Sequence, residues 1–220
     1  MDISEKKYIL AIDQGTTSSR AVIFDYSGQI KHIAQTPIVQ VYPNSGWVEE
    51  SPDEIWETQL RMCRACLKES GVSSLDIAAI GIANQRETTI AWDRLSGAPI
   101  YNAIVWQDRR TSDFCKKLKG TKKETQIQKI TGLIIDSYFS ATKIKWILNN
   151  NNLANKTLKN GNLLFGTIDT WLLWNLTQGD SHITDITNAL KTLLFLIKRK
   201  RVTNLSLSIN YLPKDKRYAL

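Results

Sequence analysis

The sequence predicts an α/β domain with a mixed sheet. Three observations carry that reading. Strand-like runs joined by tight polar turns fill Tyr8 to Tyr42, a sharply marked helix start stands at Ser51, and strand and helix patterns alternate from Ile77 onward.

Tyr8-Ile9-Leu10-Ala11-Ile12 is an apolar strand ending at Asp13. Gln14-Gly15-Thr16-Thr17 supplies turn chemistry, because glycine accepts backbone angles other residues avoid and hydroxyls bond locally to the main chain. Ser18 to Phe24 resumes a strand, Asp25-Tyr26-Ser27-Gly28 makes a second turn, and Gln29 to Tyr42 is again rich in strand formers. Three strands on short turns predict an antiparallel meander. At Ser51-Pro52-Asp53-Glu54 a hydroxyl stands at the N-cap, proline at the first helical position and glutamate at the third. The serine can accept a free backbone N–H while the glutamate reaches back to the cap. Ile55, Gln59, Met62, Cys63, Cys66 and Leu67 then recur near helical spacing and give one largely apolar face.

Ile77 to Ala83 is an unbroken apolar run and predicts a buried strand; Thr88 to Trp92 predicts another. Arg94 to Pro99 is a turn, and Ile104-Val105-Trp106 is short and apolar. Helical patterns cover residues 111–118, 124–130, 139–148 and 170–176. The asparagine- and lysine-rich stretch 149–162 predicts an exposed loop or hairpin. Near the end, Ser206-Leu207-Ser208-Ile209 alternates like a strand.

Composition narrows the class. Hydrophobic residues are 42% and charged residues 23% of the 220, as in globular chains rather than disordered or low-complexity ones. No apolar run reaches the ~18 residues that a membrane span needs. The start, Met1 to Lys7, lacks the basic flank and apolar core of a signal peptide. Three cysteines do not make a disulfide framework. A cytoplasmic protein without a membrane span is expected. The net charge is +8, but Lys191 to Leu220 holds eight basic residues against one acid, so residues 1–190 are near neutral. Polyanion binding by the whole chain loses its support, and no nucleic-acid partner is expected.

Four stretches can carry chemistry. In Asp13-Gln14-Gly15-Thr16-Thr17-Ser18-Ser19-Arg20 a tight turn between strands can present N–H groups and hydroxyls to phosphate oxygens. Asp13 suits a largely hydrated Mg²⁺, and Arg20 adds a planar donor for phosphate. The same octapeptide also fits an ordinary hairpin turn, and it is not a P-loop. Asn84-Gln85-Arg86-Glu87-Thr88 follows a strand, where ligands of open α/β sheets bind. An adjacent arginine and glutamate can donate to and accept from polyol hydroxyls, or simply pair with each other. In Trp106-Gln107-Asp108-Arg109-Arg110 the ring can wall a carbon backbone while Asp108 caps a helix. Tyr138 precedes an amphipathic helix, whose buried face is Phe139, Ile144, Ile147 and Leu148, and can offer its hydroxyl to a ligand. Cys63 and Cys66 sit within the first helix, far from His32 and His182, and read as core packing rather than metal binding.

Taken together these stretches resemble the FGGY carbohydrate kinases, and among them the glycerol-phosphorylating branch. The resemblance rests on Ala11 to Arg20, Gly46-Trp47-Val48-Glu49, Asn84 to Thr89, Tyr101 to Gln107, Tyr138 to Asn150, Gly166 to Trp171 and Thr184 to Ala189. It implies a ribonuclease-H-like fold of the actin/hexokinase type, with ATP and substrate in a cleft between two domains. It implies transfer of the γ-phosphate of ATP to glycerol, giving glycerol 3-phosphate. Carried over residue by residue, Thr16, Thr17, Ser18 and Arg20 face the nucleotide phosphates and Asp13 lies near Mg²⁺. Arg86, Glu87 and Tyr138 bind glycerol hydroxyls, and Trp106 lines that site.

The resemblance spans residues 7–195, an FGGY N-terminal domain. Family members are more than twice this length, and their catalytic base, adenine pocket and C-terminal domain lie beyond Leu220. No residue here is assigned as the base, so the chain alone is expected to be inactive, poorly soluble and marginally stable. A separately encoded C-terminal domain is one route to activity. The alternatives are a non-catalytic remnant of a disrupted kinase gene, or a kinase for another polyol or sugar. Residues 196–220 form a basic, unpatterned tail, for which out-of-frame translation is the expectation.

Overall fold

The computed structural model describes residues 7–196 and 201–202. The chain divides into two compact units, residues 1–40 with 50–85 and residues 41–49 with 86–220.

The first unit is a four-stranded sheet and one long helix. Strands β1 (Tyr8–Gln14), β2 (Ser18–Asp25) and β3 (Ile30–Pro37) form the antiparallel meander that the turn chemistry predicts. The two-residue strands β4 (Gln40–Val41) and β5 (Glu49–Glu50) mark where the chain passes between the units. Helix α1 (Pro52–Ser70) follows, then β6 (Ile77–Asn84), which pairs parallel with β1. The order β3-β2-β1-β6 is therefore a mixed sheet, as the sequence predicts.

α1 packs on β1, β2 and β3, burying Ile55, Met62, Cys63 and Cys66. The facing strand residues Leu10, Ile12, Ala21, Ile23 and Ala34 are also buried. Both cysteines are thus core residues, and burial pushes their thiols up. Ser51 caps the helix by accepting the Glu54 N–H at 3.3 Å. Glu54 does not reach back to the cap: its carboxylate accepts the Val39 N–H at 3.1 Å instead and ties the start of α1 to the chain after β3.

β6 departs from expectation. Its apolar run predicts a buried strand, yet none of its residues is buried and Ile80 is half exposed. The reason is position. β6 lies at the edge of the sheet, while α1 lies over the three strands beyond it. A parallel strand with an unbroken apolar sequence is normally covered on both faces.

The second unit begins with β7 (Ile90–Asp93) and β8 (Ala103–Ile104), linked through a Thr89–Ile104 bridge. Helices α2 (Ser112–Leu118), α3 (Lys122–Thr131) and α4 (Ser140–Asn150) fall where the periodicity places them, within a few residues. Helix α5 (Asn152–Lys159) replaces the expected loop. Asn151 caps it by accepting the Ala154 N–H at 2.9 Å, and Ala154, Thr157 and Leu158, at helical spacing, are its buried face. Strand β9 (Leu163–Gly166) pairs antiparallel with β7, and α6 (Ile168–Leu176) and α7 (Ile186–Leu190) follow. Strands β10 (Phe195–Leu196) and β11 (Arg201–Val202) pair with each other. The core joins Ala91, Ile104, Ile135, Phe139, Ile144, Ile147, Leu163 and Leu193.

Asp108 does not cap a helix. α2 starts four residues later, and the Asp108 carboxylate accepts the Val48 N–H at 2.7 Å and binds the Arg110 guanidinium at 2.8 Å. Both groups are fully buried, so the charge pair fixes the 46–49 segment rather than a helix end. No described helix is long and apolar enough to cross a membrane. The Ser206–Ile209 strand pattern and the tail expectation fall outside the described residues, apart from Leu196 and β11.

Candidate functional site

In the first unit the β1–β2 turn is closed by the Gly15 N–H, which donates to the Ser18 carbonyl at 3.0 Å. A Cβ on Gly15 would stand 3.3 Å from that oxygen, so the tight corner favours glycine. The Thr17 carbonyl is held by the Ile38 N–H at 3.1 Å, and the Ser18 hydroxyl accepts from Gln35 at 2.9 Å. Asp13 and Arg20 are cross-strand partners, with Nη1 and Oδ2 3.6 Å apart and both side chains about 40% exposed. Thr16, Thr17, Ser18 and Arg20 thus put hydroxyls and a guanidinium on the turn, a donor set that suits an oxyanion. Asp13 beside Arg20 is a single carboxylate, and no group of three metal-ligating side chains occurs among the described residues. That donor set fits only a metal that keeps most of its water and takes its other ligands from phosphate, as Mg²⁺ does.

Beneath the turn is a link the sequence reading missed. Glu50 is buried, and its two carboxylate oxygens accept from Gln40 at 2.9 Å and Gln85 at 2.6 Å. Gln40 also reaches the Thr16 carbonyl at 3.3 Å, and the Gln85 N–H donates to the Gln14 carbonyl at 2.7 Å. Burial pushes the Glu50 carboxyl up to about 7, although both amides oppose the shift. Nothing in Val48-Glu49-Glu50-Ser51 distinguishes this carboxylate from a solvated one.

In the second unit Glu87, Tyr138 and Trp106 come together, with Arg86 exposed beside Glu87. Glu87 is 2% exposed and has a left-handed backbone, φ 65°. A residue with a side chain holds that conformation only when its surroundings over-determine it. Its carbonyl accepts from Lys143 Nζ at 3.0 Å, Thr89 Oγ1 at 3.1 Å and Ser140 Oγ at 3.2 Å. The Tyr138 hydroxyl lies beside the Glu87 carboxylate, whose Oε1 is buried with no hydrogen-bond partner. Burial pushes the Glu87 carboxyl up, against the Tyr138 hydroxyl and the charges of Arg86, Lys143 and Lys191. Burial and the Glu87 charge push the Tyr138 phenol up in turn. The Trp106 and Tyr138 rings meet edge to face at 5.7 Å, and the Trp106 N–H donates to Thr88 Oγ1 at 3.2 Å.

Lys143 is the residue overlooked in that unit. It is fully buried in α4 and binds the Glu87 and Tyr138 carbonyls. Burial pulls its ammonium down to about 7, while Glu87, Asp108 and Asp136 oppose the shift. A signal was available: Lys143 stands one turn before Ile147, on the apolar face of the helix.

The model of the FGGY family of carbohydrate kinases, N-terminal domain, matches residues 8–214. The chain belongs to that family. The match runs past residue 196, where the sequence reading ends the resemblance. Glycerol kinase of Francisella philomiragia is 55% identical over 215 residues, covering 95% of this chain and 43% of that protein. Glycerol kinase of Haemophilus influenzae is 52% identical over 213 residues, covering 97% and 42%. Among solved structures, Plasmodium falciparum glycerol kinase with ADP superposes with a TM-score of 0.81 at 35% identity, covering 94% of this chain and 42% of that one. The chain spans about two fifths of the length of these relatives.

The actin/hexokinase-like α/β fold implied by the resemblance is therefore present in its N-terminal part. Residues in several of the stretches that carry the resemblance make contacts that hold the fold. Trp47 and Glu49 enclose the Arg110 guanidinium. Gly166 lies beneath Trp92 and Thr170. Asp169 accepts from the hydroxyls of Thr167 and Thr184, both at 2.5 Å, and joins α6 to the following loop.

Proposed function

We propose that this chain supplies the polyol-binding and phosphate-binding residues of an ATP-dependent glycerol kinase, whose product is glycerol 3-phosphate. The observation that carries the reading is the Glu87 carboxylate, buried with Oε1 unpartnered beside the Tyr138 hydroxyl. A buried acceptor without a donor is costly, and a substrate hydroxyl supplies the missing donor. The exposed Arg86 provides a second contact for a hydroxyl, and Trp106 an apolar wall for carbon. Glycerol kinases at 52–55% identity support glycerol as the polyol.

Thr16, Thr17, Ser18 and Arg20 would hold the phosphates of ATP, and Asp13 would hold Mg²⁺ through its water. Bound Mg²⁺ and ATP supply the phosphoryl group and neutralise its charge. The chain's own part is to position: the turn orients phosphate oxygens, and Glu87 with Tyr138 orients the polyol. None of these side chains is placed as the general base. On this reading the 220 residues do not turn over alone, and the remaining part of an FGGY kinase, in the same or a second polypeptide, packs on the bare apolar strand β6. A cytoplasmic location fits this chemistry.

Glycerol binding to the purified chain, followed by NMR, tests the polyol reading. Glu87→Gln should weaken it by about tenfold or more, because an amide meets the hydroxyl donor with only half the acceptors. Equal affinity of the variant and the parent would sink the reading. ATP-dependent glycerol phosphorylation by the chain alone would overturn the inactivity.

A further inference from the structure

We infer that Lys143 is the positioning residue of the polyol site: its buried Nζ ties the main chain at Glu87 to the main chain at Tyr138 and so sets the gap between their side chains. Only the nature of what fills that gap rests on the polyol reading above.

The two tied segments are the loop before β7 and the loop before α4, and one ammonium reaches both carbonyls from inside the helix. Glu87 needs such a hold. Its left-handed backbone is a conformation that a residue with a side chain leaves unless its surroundings impose it. Ser140, from the same helix, bonds the same carbonyl at 3.2 Å, so α4 grips Glu87 twice. A lysine with no exposure is a poor choice for packing alone, since an aliphatic side chain would fill the space without desolvating a charge. The charges acting on it are Glu87 from the loop before β7, Asp108 and Arg109 from the loop before α2, and Asp136 from the loop before α4. Through the Glu87 backbone, Lys143 aims a carboxylate whose Oε1 is unpartnered and whose neighbour is the Tyr138 hydroxyl.

The test is Lys143→Met in the 220-residue chain, which keeps the stem and removes the donors. The Tyr138 phenol, titrated by NMR at its ring carbon, should fall back toward the ordinary value of ~10 as Glu87 moves away. Glycerol affinity should drop about tenfold or more. A lowered melting temperature with the Tyr138 titration unmoved would mean Lys143 is structural only, and the inference fails. Should the parent chain bind no glycerol, the polyol reading fails and the Tyr138 titration still decides the role of Lys143. If the variant does not fold, the parent decides: the carbonyl carbons of Glu87 and Tyr138 should shift together with one midpoint near 7. Independent or absent shifts would overturn the tie.

Discussion

The guanidinium carbon of Arg110 lies 3.9 Å from the ring centroid of Trp47 and 4.6 Å from that of Trp146, in the corner of two rings that meet edge to face at 5.1 Å. Nη2 donates to Glu49 at 2.7 Å and to Asp108 at 2.8 Å, and the arginine side chain has no exposure. Lysine keeps the charge but cannot lie flat on an aromatic ring or bond two carboxylates in a fork. Arg110→Lys should therefore leave Glu49 and Asp108 buried and poorly neutralised, at a cost of about 2–4 kcal/mol. Urea unfolding followed by tryptophan fluorescence reads the loss directly. A variant within about 0.5 kcal/mol of the parent would show that charge alone suffices.

Glu50 predicts a pH dependence of stability. Its folded carboxyl titrates at about 7, against 4.5 for the ordinary group. Between those values the folded state holds a proton that the unfolded state has lost. Its contribution is therefore greatest below pH 4.5, falls as pH rises through that window, and is lost above 7. The span corresponds to at most ~3 kcal/mol. Glu50→Gln should flatten this slope: the difference in unfolding free energy, variant minus parent, should grow from about pH 5 to about pH 8. A constant difference would mean that Glu50 ionises freely in the folded state.

What could be read ahead of the structure follows from which forces are local. The antiparallel meander was legible because Gly15 and Gly28 punctuate it, and α1 because Ser51 and Pro52 announce it. Helix α5 was not, because its signal is one asparagine cap inside a run of similar residues. Asp108 and Glu54 were assigned caps because both stand near helix starts, yet each found a stronger long-range partner, the Val48 and Val39 N–H groups. Glu87, Trp106 and Tyr138 stand out in their own stretches, the resemblance alone joins them into one site, and they do meet. Lys143 and Glu50 stayed hidden because burial of a charge depends on the tertiary packing around it.

The edge strand gives a third prediction. Ile77 to Ala83 carries no charge or proline, the devices that keep a bare edge from pairing with another chain. Ile80→Lys should reduce association of the purified chain, seen by light scattering, while changing unfolding free energy by about 1 kcal/mol or less, since Ile80 is half exposed. Undiminished association would place the sticky surface elsewhere.

Gly166 tests packing beneath Trp92. A Cβ there would stand 2.7 Å from Thr170 Cβ and 2.8 Å from Trp92 Cη2, distances that ordinary side-chain contacts do not reach. Neither neighbour has room to yield, because Trp92 and Thr170 are both fully buried. Trp92 is also hemmed by Trp171 at 5.2 Å, His182 at 5.4 Å and Trp174 at 5.9 Å. Gly166→Ala should then force β9 away from α6 and lower stability by about 2–3 kcal/mol, as overpacking does in a filled core. Near-ultraviolet circular dichroism should lose part of the signal of the packed tryptophans in the same variant. A stability equal to the parent's, with that signal intact, would mean that β9 and α6 are packed more loosely than these distances require.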